Sequence, residues 1–240
     1  MSADAKKVAL VTGGAKRVGR AIVERLAAVG YRIVFTYLSS QREADELCAR
    51  FDALAVRADL TDPAVAIDQI TSALKPFADR VDVLVNNASL YEPSALGQTD
   101  LLQMRRLMAI HYESPLLLTR ALAPKLRAAK GHVINMVDLL AERPWPQYLA
   151  YSASKAALAN LTLGLARELA PDVTVNGIAP GVVEWPEGYR DVEKQRYLKR
   201  VPLQRPGTPQ DVAELVHFLV TSGSYLTGQI LRLDGGRSIT

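Results

Sequence analysis

The chain has 240 residues, 49% hydrophobic and 22% charged, a globular composition that excludes a disordered or fibrous protein. Its 29 Lys and Arg against 25 Asp and Glu leave a net charge of +4 with no block of like charge, which argues against a nucleic-acid partner and suits an anionic cofactor. One cysteine, Cys48, allows no internal disulfide, and the three histidines, His111, His132 and His217, lack metal-ligand spacing. With no apolar run near the roughly 18 residues of a membrane span, a cytoplasmic protein without metal or membrane is expected.

In chain order, short β-branched runs predict strands at residues 8–11, 33–37, 55–58, 81–85, 133–137, 173–178 and 230–233. Between them, residues 16–29, 41–51, 63–77, 100–129, 146–170 and 209–221 are long enough for helices. Parallel neighbours need helical crossovers, so this alternation predicts an α/β fold with helices on both faces of a parallel sheet. No linker or repeat divides residues 1–240, and a single domain is expected. Residues 181–205, rich in Pro, Gly and charge, read as a substrate lid or as a surface excursion.

The first predicted strand runs into Thr12-Gly13-Gly14-Ala15-Lys16-Arg17-Val18-Gly19 and then a helix. Glycines there allow close backbone approach and the helix start offers free amides to a pyrophosphate, although a tight connection has the same composition. The second strand ends in Tyr37-Leu38-Ser39-Ser40, without the acid that would bind a ribose 2′-hydroxyl, while Lys16, Arg17, Ser39 and Ser40 suit a 2′-phosphate and hence NADPH. Asp59 is either an acceptor for an adenine amino group or a cap before Pro63. Tyr151 and Lys155 lie four apart on one predicted helix, where an ammonium would lower the phenol pKa and make a general acid, or where the two form an ordinary solvated pair.

With the glycine turn, Asn86-Asn87-Ala88, Tyr151 and Lys155, Pro180-Gly181 and Asp234-Gly235-Gly236, the chain resembles the short-chain dehydrogenase/reductase family over nearly its whole length. The resemblance implies a Rossmann-type sheet of seven strands in the order 3-2-1-4-5-6-7. It also implies a nicotinamide cofactor, Tyr151 as proton donor, and Lys155 holding the nicotinamide ribose. The expected cofactor contacts are Gly13, Lys16, Arg17, Val18, Tyr37, Ser39, Ser40, Asp59, Leu60, Asn86, Ala88, Tyr151, Lys155, Pro180 and Gly181. A homotetramer through the helices at 100–129 and 146–170 is implied as well.

Four departures narrow the resemblance. Arg17 stands where the family turn has glycine, Asp138 replaces a serine 13 residues before Tyr151, Ser89 and then Tyr91 follow Asn86-Asn87-Ala88, and His111 stands at a family asparagine that orders a water beside the lysine. The first three resemble the pteridine reductase branch, and His111 is similar to its bacterial dihydromonapterin reductases. The resemblance thus implies reduction of a dihydropteridine of monapterin, biopterin or folate type, with Arg17, Ser89, Tyr91, Asp138, Tyr151 and Trp185 facing it. Physically, Asp138 would hold a proton for a ring nitrogen and Tyr91 would stack on a flat ring. The plainer readings are a solvated charge for Arg17, a turn residue for Asp138 and a loop aromatic for Tyr91. A ketone or 3-oxoacyl thioester reductase is the alternative enzyme, and a non-catalytic nucleotide-binding protein the alternative class.

Overall fold

Val8–Val11 is buried on both faces, and its alternation assigns the core: Ala9 and Val11 point to one layer of helices, Val8 and Leu10 to the other. This strand, β1, is joined by β2 (Arg32–Tyr37), β3 (Ala53–Arg57), β4 (Val83–Asn86), β5 (His132–Met136), β6 (Thr174–Pro180) and β7 (Ile230–Leu233). In this computed structural model, which describes residues 6–185 and 188–240, all seven pair in parallel in the order β3-β2-β1-β4-β5-β6-β7. The expected sheet and strand order are both present. One helical layer contains α1 (Arg17–Ala28), α2 (Gln41–Arg50) and α8 (Pro209–Thr221); the other contains α3 (Pro63–Leu74), α5 (Ser114–Ala129) and α6 (Leu149–Leu169). No helix among the described residues is long and apolar enough to cross a membrane.

Element boundaries differ from expectation where side chains intervene. Strand β4 begins at Val83 because Asp82 turns inward, accepting from the Val8 amide at 2.8 Å and from Arg80 Nε at 2.9 Å. The helix expected over 100–129 is two helices, α4 (Leu101–Met108) and α5, joined by a π-helical turn at Ala109–Glu113. Pro115 supplies the cause: it has no N–H for the His111 carbonyl, and its ring would clash with that carbonyl in a regular helix. The Ser114 amide therefore reaches back to Ala109. Within 181–205 lies a helix, α7 (Asp191–Leu198), which buries no residue and so leaves no apolar period to read.

Candidate active site

The carboxyl ends of the strands open into a cleft of about 690 Å³, where open parallel sheets bind ligands. Gly13, Lys16, Arg17, Val18, Tyr37, Asp59, Leu60, Ala88, Ser89, Tyr91, Asp138, Tyr151, Lys155, Pro180 and Gly181 all line it. The glycine turn is built for close approach. Gly13 has φ +64°, and a Cβ on Gly19 would stand 2.0 Å from the Gly13 carbonyl. The turn is held from behind, with the Thr12 hydroxyl accepting from the Asn87 and Ala88 amides at 2.9 and 3.0 Å, so the start of α1 faces the cleft. This floor, with Asp59 and Leu60 on one side and Pro180 and Gly181 on the other, fits a dinucleotide.

Some expected contacts lie elsewhere. Asn86 is buried, its amide donating to Asn135 Oδ1 at 2.8 Å, so it ties β4 to β5 rather than lining the cleft. Ser39 and Ser40 stand outside the lining at the rim beyond Tyr37. Trp185 is also outside it, packed edge-on to Tyr197 at 5.5 Å, so it backs the cleft wall. Asp59 is not the cap of α3, a role taken by Asp62; its Oδ1 accepts from the Thr61 amide and hydroxyl at 2.9 and 2.8 Å. Lys16 pairs with Glu43 at 3.1 Å, and Arg17, at φ +53°, reaches Glu184 at 2.7 Å, joining the turn to the segment after β6. Both side chains stay more than half exposed, Lys16 at 55% and Arg17 at 56%, so these are ion pairs at a solvated rim.

The catalytic candidates converge. Asp138 closes the turn after β5, its Oδ1 accepting from the Leu140 amide at 2.8 Å and its Oδ2 from the Tyr151 hydroxyl at 2.8 Å. Lys155, buried one helical turn beyond Tyr151, donates to the Met136 carbonyl at 2.8 Å. Burial pushes the Asp138 carboxyl up and holds the Lys155 ammonium down at about 8, the neighbouring opposite charge resisting each shift. The expectation of a lowered Tyr151 pKa is corrected in its net direction: Lys155 Nζ, 5.8 Å from the ring centre, favours the phenolate, but larger effects oppose it. Burial, followed by the Asp138 charge, pushes the phenol well above its usual range. The site therefore keeps its proton on Tyr151, as a donor requires.

Around Tyr151 gather both tryptophans and four of the other eight tyrosines. Tyr91 stacks on Tyr148 at 4.7 Å and meets Tyr151 edge-on at 5.0 Å, so one face of its ring is already covered. His111 is buried between two hydroxyls, Ser89 Oγ at 2.8 Å from Nε2 and Ser154 Oγ at 2.8 Å from Nδ1. Sequence reasoning missed three cations. Arg57, which the β2–β3 register sets opposite Tyr37, bonds the Leu38 carbonyl at 3.2 Å, at the rim near Ser39. Arg143 and Arg237 line the cleft mouth together, both donating to the Thr240 carbonyl, at 3.2 and 3.5 Å. A parallel-register count would have found Arg57; nothing local marks the other two.

Comparison with known proteins agrees with this geometry. The family profile described as Enoyl-(Acyl carrier protein) reductase matches residues 13–238. The chain is 33% identical to a 3-oxoacyl-[acyl-carrier-protein] reductase of Synechocystis, covering 98% of each, and 32% identical to a dihydromonapterin reductase of Klebsiella pneumoniae, covering 96% of each. A solved short-chain dehydrogenase/reductase from Serratia marcescens superposes with a TM-score of 0.89 at 32% identity over 97% of this chain and 98% of that one. With the sheet order, the glycine turn and the Tyr151–Lys155 pair on one cleft, the chain belongs to the short-chain dehydrogenase/reductase family of nicotinamide-dependent oxidoreductases.

Proposed function

We propose that the protein reduces a dihydropteridine to its tetrahydro form with NADPH. The observation that carries the reading is the Asp138 carboxyl, not a hydroxyl, 2.8 Å from the Tyr151 phenol inside an aromatic wall. A serine there would donate to a carbonyl oxygen, whereas a carboxylate would repel the oxyanion that carbonyl reduction develops. A flat heteroaromatic ring suits the tyrosines and tryptophans around the dyad. NADPH is supported by the absence of an acid at the end of β2 and by Lys16, Arg57, Ser39 and Ser40 near it.

When bound, the reduced nicotinamide supplies the hydride. The turn from Gly13 to Gly19, with Asp59, Leu60, Pro180 and Gly181, would hold the dinucleotide along the strand ends. Tyr151 gives its proton to the ring nitrogen of the C=N bond, its O–H breaking as the N–H forms. Asp138, which accepts the Tyr151 hydroxyl, would take a proton from water and pass it to the phenolate, ending as the carboxylate it began as. The Lys155 ammonium lies close enough to stabilise the phenolate while that charge exists.

Replacing Asp138 tests the reading, because the two substrate classes give opposite signs. Asp138→Ser should lower kcat/KM on a dihydropterin, by about tenfold or more, and raise it on a simple activated ketone. Measured with NADPH and NADH in parallel, a gain on both substrates would assign the site to carbonyl reduction, and equal rates with the two cofactors would remove the phosphate preference.

A further inference from the structure

Ser154 follows Tyr151 by less than one turn of α6, and its Oγ lies 2.7 Å from the Tyr151 carbonyl oxygen. Two oxygens approach so closely only with a proton between them, which commits the single Ser154 proton to that carbonyl. His111 Nδ1 is 2.8 Å from the same Oγ, so Nδ1 is the donor in that contact and carries a hydrogen. Burial and the nearby Lys155 charge hold the imidazole well below its usual range, leaving the ring neutral. A neutral ring protonated at Nδ1 has a bare lone pair at Nε2. That lone pair faces Ser89 Oγ at 2.8 Å, and Ser89 fills it by donating its own proton.

Ser89 lines the same cleft as Tyr151. With its proton spent on His111, it offers the cleft lone pairs alone. We propose that His111 fixes Ser89 as an obligate hydrogen-bond acceptor in the substrate cleft, so that the site selects ligands presenting an N–H there and disfavours a carbonyl oxygen. His111 is a positioning residue in this scheme, held in place by the π-helical turn at Ala109–Glu113 and edge-on to Tyr151 at 5.5 Å. The identity of the donor as an N–H of a dihydropterin rests on the function proposed above; the polarity of Ser89 does not.

Nitrogen chemical shifts of the protein labelled with 15N-histidine read that polarity without a substrate. The signal lost in His111→Leu should have a protonated Nδ1 and an unprotonated Nε2, and should not titrate across neutral pH; an Nε2–H or a charged ring overturns the proposal. Kinetics supply the second arm. Ser89→Ala should raise KM for a dihydropterin about fivefold to tenfold with kcat less affected, and should leave an activated ketone nearly unchanged. His111→Leu frees the Ser89 proton, so kcat/KM should fall on the dihydropterin and rise on the ketone. His111→Gln, whose amide oxygen can take the Ser89 proton, should restore the wild-type order. Equal losses on both substrates in all three variants would give His111 a packing role only and overturn the proposal. A wild-type protein that shows the Nδ1–H ring but reduces no dihydropterin would defeat the pteridine reading instead, and the ketone gain in His111→Leu would then decide the polarity alone.

Discussion

Tyr151 donates to Asp138 Oδ2 in a wall that favours its protonated form, so its proton is held ready for a ligand that can take it. Tyr151→Phe keeps the ring against Tyr91 and His111 and removes only that proton. Turnover should drop by about a hundredfold to ten-thousandfold while NADPH titration by fluorescence is unchanged; a variant keeping more than half the wild-type kcat would place the donor elsewhere. Lys155 adds a pH signature. Above about 8 its ammonium is lost, and kcat/KM, which reports the free enzyme, should fall along a limb centred there. From that pH up to about 10 the unfolded chain still holds the proton that the folded chain has released, so the same group adds stability as pH rises through the window where activity declines. A pH profile of kcat/KM beside a urea midpoint series separates the two trends. Tyr151 and Lys155 were legible in the sequence because their chemistry lies in local spacing, and Asp138 because the family resemblance puts a serine at its position. The direction of the tyrosine shift was not, because burial belongs to the whole wall rather than to the neighbour four residues on.

Among the elements, the ends of the sheet divide the labour. The carboxyl edge is open and lined for ligand, whereas the amino edge is tied down by Asp82, which takes the Val8 amide and Arg80 while only 4% exposed. Asp82→Ala would strand a buried amide and should lower stability by about 1–3 kcal/mol, read as a shifted urea midpoint at unchanged slope, with kcat and KM preserved because the cleft lies at the opposite edge. A change in KM for NADPH would show that the two edges are coupled. Strands and most helices could be read from apolar period, because a sheet buried on both faces leaves continuous apolar runs. The break at Ala109–Glu113 had a visible cause in Pro115, four residues after His111, but the partners it gives His111 are Ser89, from the turn after β4, and Ser154 on α6, neither of them local. Helix α7 left no trace, since a helix that buries nothing has no period.

At the scale of the molecule, apolar side chains remain uncovered on the helices beside the site: Leu101 is 58% and Leu102 68% exposed on α4, and Leu163 45% on α6. We expect these faces to join copies of the chain into a tetramer, and Leu102→Glu to shift sedimentation toward smaller species; an unchanged monomer before and after the substitution would leave the faces without a partner. Strand order has a different consequence, set in time rather than space. β1 lies between β2 and β4, and its amide at Val8 is satisfied by Asp82, 74 residues later. During synthesis at about 5–20 residues per second, β1 therefore waits about 4–15 s with one edge bare before the chain that closes it has been made. Through that interval the nascent protein carries an open, apolar strand edge, and a neighbouring nascent copy offers the same template, so crowding on one message is the condition in which this chain is most exposed to mispairing.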